Sequence, residues 1–200
     1  APGVVTALSG PSGAGKSTIV ACLLADMTPD AGRVLLRPST SSSISGGSIL
    51  SDIDPATWRR QISWVPQSPT LVPGTILDNM GDLPLDDLND AAAATGFDDV
   101  LASAPDGWNT VIGSGGVGLS VGQRQRLALT RALAAHSQVV ILDEPTAHLD
   151  AVSEETVVQA IDAMRDAGRT VIVIAHRAAM MEAADAVIDV RSAADEEARA

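Results

Sequence analysis

Two short stretches of this 200-residue chain carry residues suited to a phosphorylated ligand. Gly10-Pro11-Ser12-Gly13-Ala14-Gly15-Lys16-Ser17-Thr18 fits the pattern G-x-x-x-x-G-K-[ST]. Its glycines let backbone N–H groups wrap a phosphate at a helix start, where the helix dipole already favours an anion. Lys16, the only lysine of the chain, would meet the β- and γ-phosphates of a nucleoside triphosphate, and the Ser17 hydroxyl would meet Mg²⁺. Further on, Asp143-Glu144 follows the apolar run Val139–Leu142. Two carboxylates at the C-terminal end of a buried strand stand at the edge where open parallel sheets bind ligands. Asp143 would hold the Mg²⁺, usually through water, and Glu144 would polarise an attacking water as general base. A strand that ends in acids because it surfaces would look the same alone; the glycine loop upstream decides between the two.

These residues need elements to position them. Val4–Ser9 reads as a buried strand entering the glycine loop, and Ser17–Met27 as a helix stopped by Thr28-Pro29-Asp30. Gly32–Leu36 reads as a strand, Pro38–Ser51 as a Ser/Gly-rich surface loop, and Asp54-Pro55 as the cap of a short helix to Arg60. Ile62–Val65 is a strand leading into Pro66-Gln67. Thr75 to Ala104 is helical in character, clearest over Asp86–Thr95, and a loop with Gly113, Gly115, Gly116 and Gly118 follows. Ser120 caps a helix over Val121–Ala135. Val139–Leu142, Val171–Ala175 and Ala186–Val190 are strands, Val152–Ala167 is a helix ended by Gly168, and Ala193–Ala200 is an acidic tail. Apolar strands alternating with helices predict an α/β fold with a parallel sheet covered on both faces. Lys16 and Asp143 are separated by far more chain than one strand–helix–strand crossover needs, which predicts an inserted helical subdomain.

Composition narrows the function. With 46% hydrophobic and 19% charged residues the chain is globular, and its longest apolar runs are strand-sized, whereas a bilayer span needs roughly 20 residues. The net charge of −12, from 25 acids against 13 bases, argues against nucleic acid as a partner. A single cysteine, Cys22, forms no internal disulfide. Three histidines (His136, His148, His176) and one cysteine at these spacings make no metal site, and Trp58, Trp64 and Trp108 are too scattered for a base-stacking platform. The Ala-Pro-Gly opening, without Met or a secretory signal, reads as part of a longer polypeptide.

The decisive stretch is Leu119-Ser120-Val121-Gly122-Gln123-Arg124-Gln125-Arg126. With the glycine loop, Gln67, Asp143–Glu144 and a histidine after a strand (His176), it makes five ordered motifs spread from Val4 to about Val190. The chain resembles the ATP-binding domain of ABC transporters. The resemblance implies a P-loop NTPase fold, with residues 1–74 and 136–200 as a RecA-like core, 75–135 as the helical signature subdomain, and the N-terminal antiparallel strands partly missing. It implies ATP and Mg²⁺ as cofactors and hydrolysis of ATP coupled to transport. Ser120, Gly122 and Gln123 head a helix and would offer an anion site; in the family this site faces the γ-phosphate held by the other subunit. Two domains would therefore sandwich two ATP molecules head to tail. Gln67 would contact the Mg²⁺ or the attacking water and relay movement to a transmembrane partner. His176 would contact the γ-phosphate, and Asp150, in Ala147-His148-Leu149-Asp150, would lie in the loop that crosses the dimer interface. The partners implied are a second ABC ATP-binding domain and a transmembrane domain upstream in the same polypeptide, at the cytoplasmic face of the membrane.

Some residues depart from the family pattern. Val121 stands where the signature carries Gly, and a β-branched residue stiffens a helix start. Ser114 stands where exporters often carry an acid, and Ala147-His148 replaces the commoner Ser-Ala. The chain has no Tyr, and the aromatic that stacks on adenine in the family would belong to a strand before Ala1. These substitutions resemble the heterodimeric exporter of cytochrome bd assembly, a cysteine/glutathione (thiol-reductant) exporter; a homodimer is the other arrangement left open. The alternative class is a soluble ABC ATPase of DNA maintenance or translation, which carries a long coiled coil or tandem domains with basic linkers. A non-hydrolysing regulatory module is the third, and Glu144 counts against it.

Overall fold

A computed structural model describes residues 3–37, 47–146 and 151–191. The expected loop up to residue 46, the Ala147–Asp150 segment with His148 and Asp150, and the acidic tail from Ala193 lie outside the described residues. Strand β1 (Val5–Ser9) leads into α1 (Lys16–Leu23). A small antiparallel pair, β2 (Leu35–Leu36) and β3 (Ser48–Ile49), precedes α2 (Pro55–Arg59) and β4 (Ile62–Val65). Next come β5 (Gly74–Thr75), α3 (Leu85–Thr95), α4 (Asp98–Ser103) and β6 (Val111–Ile112). The chain closes with α5 (Val121–Ala134), β7 (Val139–Asp143), α6 (Ala151–Asp166), β8 (Thr170–Ile174), α7 (Ala178–Glu182) and β9 (Ala186–Asp189).

The main sheet runs β4-β7-β8-β1-β9 with every neighbouring pair parallel, the α/β arrangement expected. Its central strands are continuous apolar runs because helices cover both faces; Val140, Ile141 and Leu142 are fully buried. Register sets the site. Val65 pairs with Leu142, Asp143 with Ile174, and Ile174 with Leu8. The exits of β4, β7, β8 and β1 therefore line one edge, so Gln67, Glu144, His176 and Gly10 emerge side by side.

Three apolar clusters hold the chain. One packs α5 and α6 on one sheet face, through Leu129, Ala132, Val157, Ile161 and Met164. Another packs α1 on the opposite face, through Val20, Leu24, Ile141 and Ile174. The third is built around α3 and α4 from Leu88, Phe97, Ile76, Met80 and Ile112, with Leu127 of α5. Helix α5 thus presents Leu127 to one cluster and Ala128 and Leu129 to another, since successive helical residues point about 100° apart. A buried hydroxyl pair, Thr95 and Thr130 at 2.6 Å, ties α3 to α5. Helix α6 ends as Gly168 predicted: the Gly168 N–H donates to Arg165 O and the Arg169 N–H to Met164 O, with Gly168 at φ 77°.

Several elements differ from the sequence reading. Helix α1 stops at Leu23 rather than Met27. Its end is closed by the Ala25 N–H donating to Cys22 O and by the Asp26 and Met27 N–H groups both reaching Ala21 O, with Ala25 at φ 58°. The buried Trp58 indole N–H takes the Leu23 carbonyl at 2.7 Å. The stretch from Thr75 is not continuously helical. Gly74–Thr75 pairs with Val111–Ile112, and the Asn79 side chain bonds Val72 N, Val72 O and Thr75 O, which holds the turn between them. Within the expected Pro38–Ser51 loop, residues 48–49 are strand, and α7 was not expected. Leu129 lies 1% exposed against the sheet, so Leu129→Ala is expected to lose about 2–5 kcal/mol of stability. Urea unfolding, read as a lower midpoint at unchanged slope, checks this.

Candidate functional site

The glycine loop is shaped by close approach and by left-handed turns. Gly10 has φ 140°, and a Cβ there would lie 2.2 Å from the Val190 carbonyl oxygen, so no side chain fits. Gly15 (φ 101°) starts α1 with no side-chain cap, which leaves the first-turn N–H groups unsatisfied from within the helix. Lys16 is buried, and its ammonium donates to Gly10 O at 2.8 Å and Pro11 O at 2.9 Å. Two loop carbonyls therefore hold the cation in place. Beside it opens a cleft of about 320 Å³ lined by Ser12, Gly13, Ser17, Thr18, Glu144 and His176, among others.

Glu144 is the convergence point. It sits at φ 47°, uncommon for a residue with a side chain, and its N–H donates to Ile174 O at 3.1 Å. Its Oε2 accepts from Gln67 Nε2 at 2.8 Å, and its Oε1 lies 3.1 Å from His176 Nε2. Three residues from three strand exits thus meet on one carboxylate. Strain of this kind clusters at functional sites.

Asp143, half-buried beside them, has its carboxyl raised above the usual range, first by burial and then by the Glu144 charge; Lys16 and His176 pull it back down. Ser17 borders the cleft; its hydroxyl, the Asp143 carboxylate and the Gln67 amide oxygen are each oxygen donors, the chemistry that suits Mg²⁺. Among the described residues no group of three or more His, Cys, Asp or Glu could hold a metal.

The Ser120–Gln123 turn stands apart from this cleft. Ser120 Oγ accepts from the Gln123 N–H at 3.2 Å, while Gln123 Oε1 accepts from the Ser120 N–H at 2.8 Å, a reciprocal cap of α5. The Ser120 N–H is thereby occupied, and the N–H groups of Val121 and Gly122 are the ones without an intrahelical acceptor. Val117 and Val121 form an exposed apolar rim beside them, 70% and 50% exposed. Neither Ser120, Gly122 nor Gln123 borders the Lys16 cleft, so that turn is not part of the cleft of its own chain. Of the remaining sequence candidates, Trp58 is structural, His136 bonds Arg169 at 2.9 Å at the far end of α5, and Cys22 is half-buried on α1. The turn at Glu144 and its bond to Ile174 O were not read from the sequence, which carries no glycine to mark a left-handed residue there.

The raised carboxyl of Asp143 generates a sign. A folded-state value above the unfolded one means the protein loses stability as pH rises from the unfolded carboxylate value to the raised folded one, and not below that window. Asp143→Asn is therefore expected to raise the melting temperature of the nucleotide-free protein at neutral pH, to flatten this acid-side dependence, and to lose any extra stabilisation that Mg²⁺ adds to ATP. Thermal melts at several pH values, with and without Mg²⁺-ATP, check all three.

The family model described as "ABC transporter" matches residues 1–147. The chain is 42% identical over 192 residues to the mitochondrial potassium channel ATP-binding subunit of Rattus norvegicus, covering 94% of this chain and 26% of that protein. It is 40% identical over 196 residues to the ABC-type transporter atr1 of Mycosarcoma maydis, covering 94% of this chain and 14% of that one. Among solved structures, a bacterial Atm1-family ABC exporter with ATP bound superposes with a TM-score of 0.83 at 30% identity, over 100% of this chain and 35% of that one. The chain thus spans between 14% and 26% of the length of these two curated relatives. The chain belongs to the ABC transporter family, as an ATP-binding domain of the kind found in that family's exporters.

Proposed function

We propose that the chain binds Mg²⁺-ATP and hydrolyses it as the motor of an ABC exporter. The observation that carries this reading is the Glu144 carboxylate, shared between Gln67 and His176 at a cleft that also holds Lys16. The loop Gly10, Pro11, Ser12, Gly13, Ala14 and Gly15 surrounds the phosphates with N–H groups, and Lys16 and Thr18 complete the cradle. Ser17, Asp143 and Gln67 would hold the Mg²⁺, and the ion would supply positive charge to offset that of the phosphates. Glu144 accepts a proton from the water that attacks the γ-phosphorus; the new P–O bond forms as the bond to the leaving ADP oxygen breaks. His176 and Gln67 fix the orientation of Glu144, and His176 faces the γ-phosphate.

A second ATP-binding domain supplies Ser120, Gly122 and Gln123 over this cleft, and residues 75–135 act as the subdomain that presents them against the core of 1–74 and 136–200. That this turn is not part of its own chain's cleft supports this head-to-tail closure. Val121 in the signature favours an unlike partner. Among the described residues no helix is long and apolar enough to cross a membrane; the membrane helices belong to an upstream domain, with this domain on the cytoplasmic face. Export across the cell membrane follows the exporter likeness. Val121, Ser114 and Ala147-His148 support the finer reading, a cysteine or glutathione exporter needed for cytochrome bd assembly.

Glu144→Gln is expected to lower turnover at least about 100-fold, the lower end of a general base's contribution, while ATP now accumulates a stable dimer. Lys16→Ala is expected to lose ATP affinity instead. Phosphate release and gel filtration with ATP check both, and parent-rate hydrolysis by the Glu144 variant would remove it from the base role.

A further inference from the structure

Helices α5 and α6 each run into a strand of the same parallel sheet, so both begin at the edge where Lys16, Glu144 and His176 converge. They share one apolar cluster that includes Ala128 and Leu129 of α5 and Val157 and Ile161 of α6. One turn closer to the site the seam becomes polar. Gln125 lies three and four residues before Ala128 and Leu129 and is only 3% exposed; Glu154 lies three before Val157. Each has a buried atom with no hydrogen-bond partner: Gln125 Nε2, a donor, and Glu154 Oε1, an acceptor. A buried unpaired polar group costs about 1–3 kcal/mol, and each one in a folded protein calls for a reason. Here the two are complementary, and each lies about one turn before members of the same apolar cluster.

The other oxygen of Glu154 is engaged. Its Oε2 accepts from Arg177 Nη1 at 2.8 Å, and Arg177 directly follows His176 and caps α7. We propose that, in the nucleotide-bound state, Gln125 Nε2 donates to Glu154 Oε1 and latches α5 to the segment that carries His176. The latch rests on the reading of the chain as an ATP hydrolase. It makes Gln125 and Glu154 positioning residues. The bond runs from the helix headed by Ser120–Gln123, through Glu154 and Arg177, to the histidine beside Glu144. Engagement of the α5 head by a partner's phosphate would then be felt at the chain's own hydrolytic carboxylate. In the structure as it stands the donor and the acceptor are each unpaired.

The test is a double-mutant cycle in the full-length protein, with Gln125→Met (similar shape, no donor), Glu154→Gln (still an acceptor for Arg177) and the pair. Without nucleotide, Gln125→Met is expected to melt at or above the parent temperature, because an unpaired buried donor has been removed. With Mg²⁺-ATP each single variant is expected to lose about tenfold in kcat with KM held within about twofold, and the double variant to be no worse than the poorer single. The same coupling is expected in melting temperatures measured with Mg²⁺-ATP and to be absent without it. Multiplicative losses in the double variant, unchanged kcat in both singles, or a nucleotide-free Gln125→Met melting well below the parent would each overturn the latch. Absence of phosphate release by the parent protein would instead overturn the hydrolase reading, and the Mg²⁺-ATP melting cycle would still decide the latch.

Discussion

The hydrogen bond from the Glu144 N–H to the Ile174 carbonyl fixes the geometry on which the rest of the site depends. Strands β7 and β8 pair up to Asp143 and Ile174, and this bond holds their exits together for one residue more. To make it, Glu144 adopts φ 47°, a conformation that costs about 1–3 kcal/mol for a residue with a side chain. The turn swings the carboxylate between Gln67 and His176 instead of continuing the strand's alternation. Strand β4 brings Gln67 because Val65 pairs with Leu142, and β8 brings His176 two residues past Ile174. A slip of one register position would send these side chains to the opposite face.

The electrostatics follow from the same edge. Asp143 and Glu144 put two carboxylates beside one lysine in a chain that carries −12 overall, and the Asp143 carboxyl is raised by burial and by its neighbour. A bare triphosphate would add further negative charge, so the site is suited to an anion that arrives with its own divalent cation. Lys16, already held by two carbonyls, contributes a preplaced ammonium that need not be ordered when the ligand binds. The signature turn solves a different problem. Its cap is satisfied internally by Ser120 and Gln123, and neither residue borders the chain's own cleft.

Much of this was legible in the sequence. Fully apolar strands such as Val139–Leu142, the glycines of the phosphate loop and Gly168 carry strong local signals, because burial on both faces and left-handed turns each restrict residue type. The strand ends bearing Asp143 and His176 were legible for the same reason. What escaped was set by partners distant in sequence. Gly74–Thr75 forms a ladder only because Val111–Ile112 lies alongside, and nothing within a helical-looking stretch announces that. Helix α1 ends early where Trp58 caps its carbonyl. The meeting of Gln67 and His176 on Glu144 depends on register across three strands, which motif order alone does not specify. The buried, unpaired atoms of Gln125 and Glu154 are likewise set by packing between helices distant in sequence.

The central claim is that this constellation hydrolyses a nucleoside triphosphate between two facing domains. Its most direct test is phosphate release from ATP by the full-length protein, measured with and without Mg²⁺ over a range of protein concentrations. The account predicts release that requires Mg²⁺, stops on chelation, and saturates with ATP, with a rate per molecule that does not fall as paired domains are concentrated. Release no faster than from a heat-inactivated sample, at every concentration and with Mg²⁺ present, would contradict it.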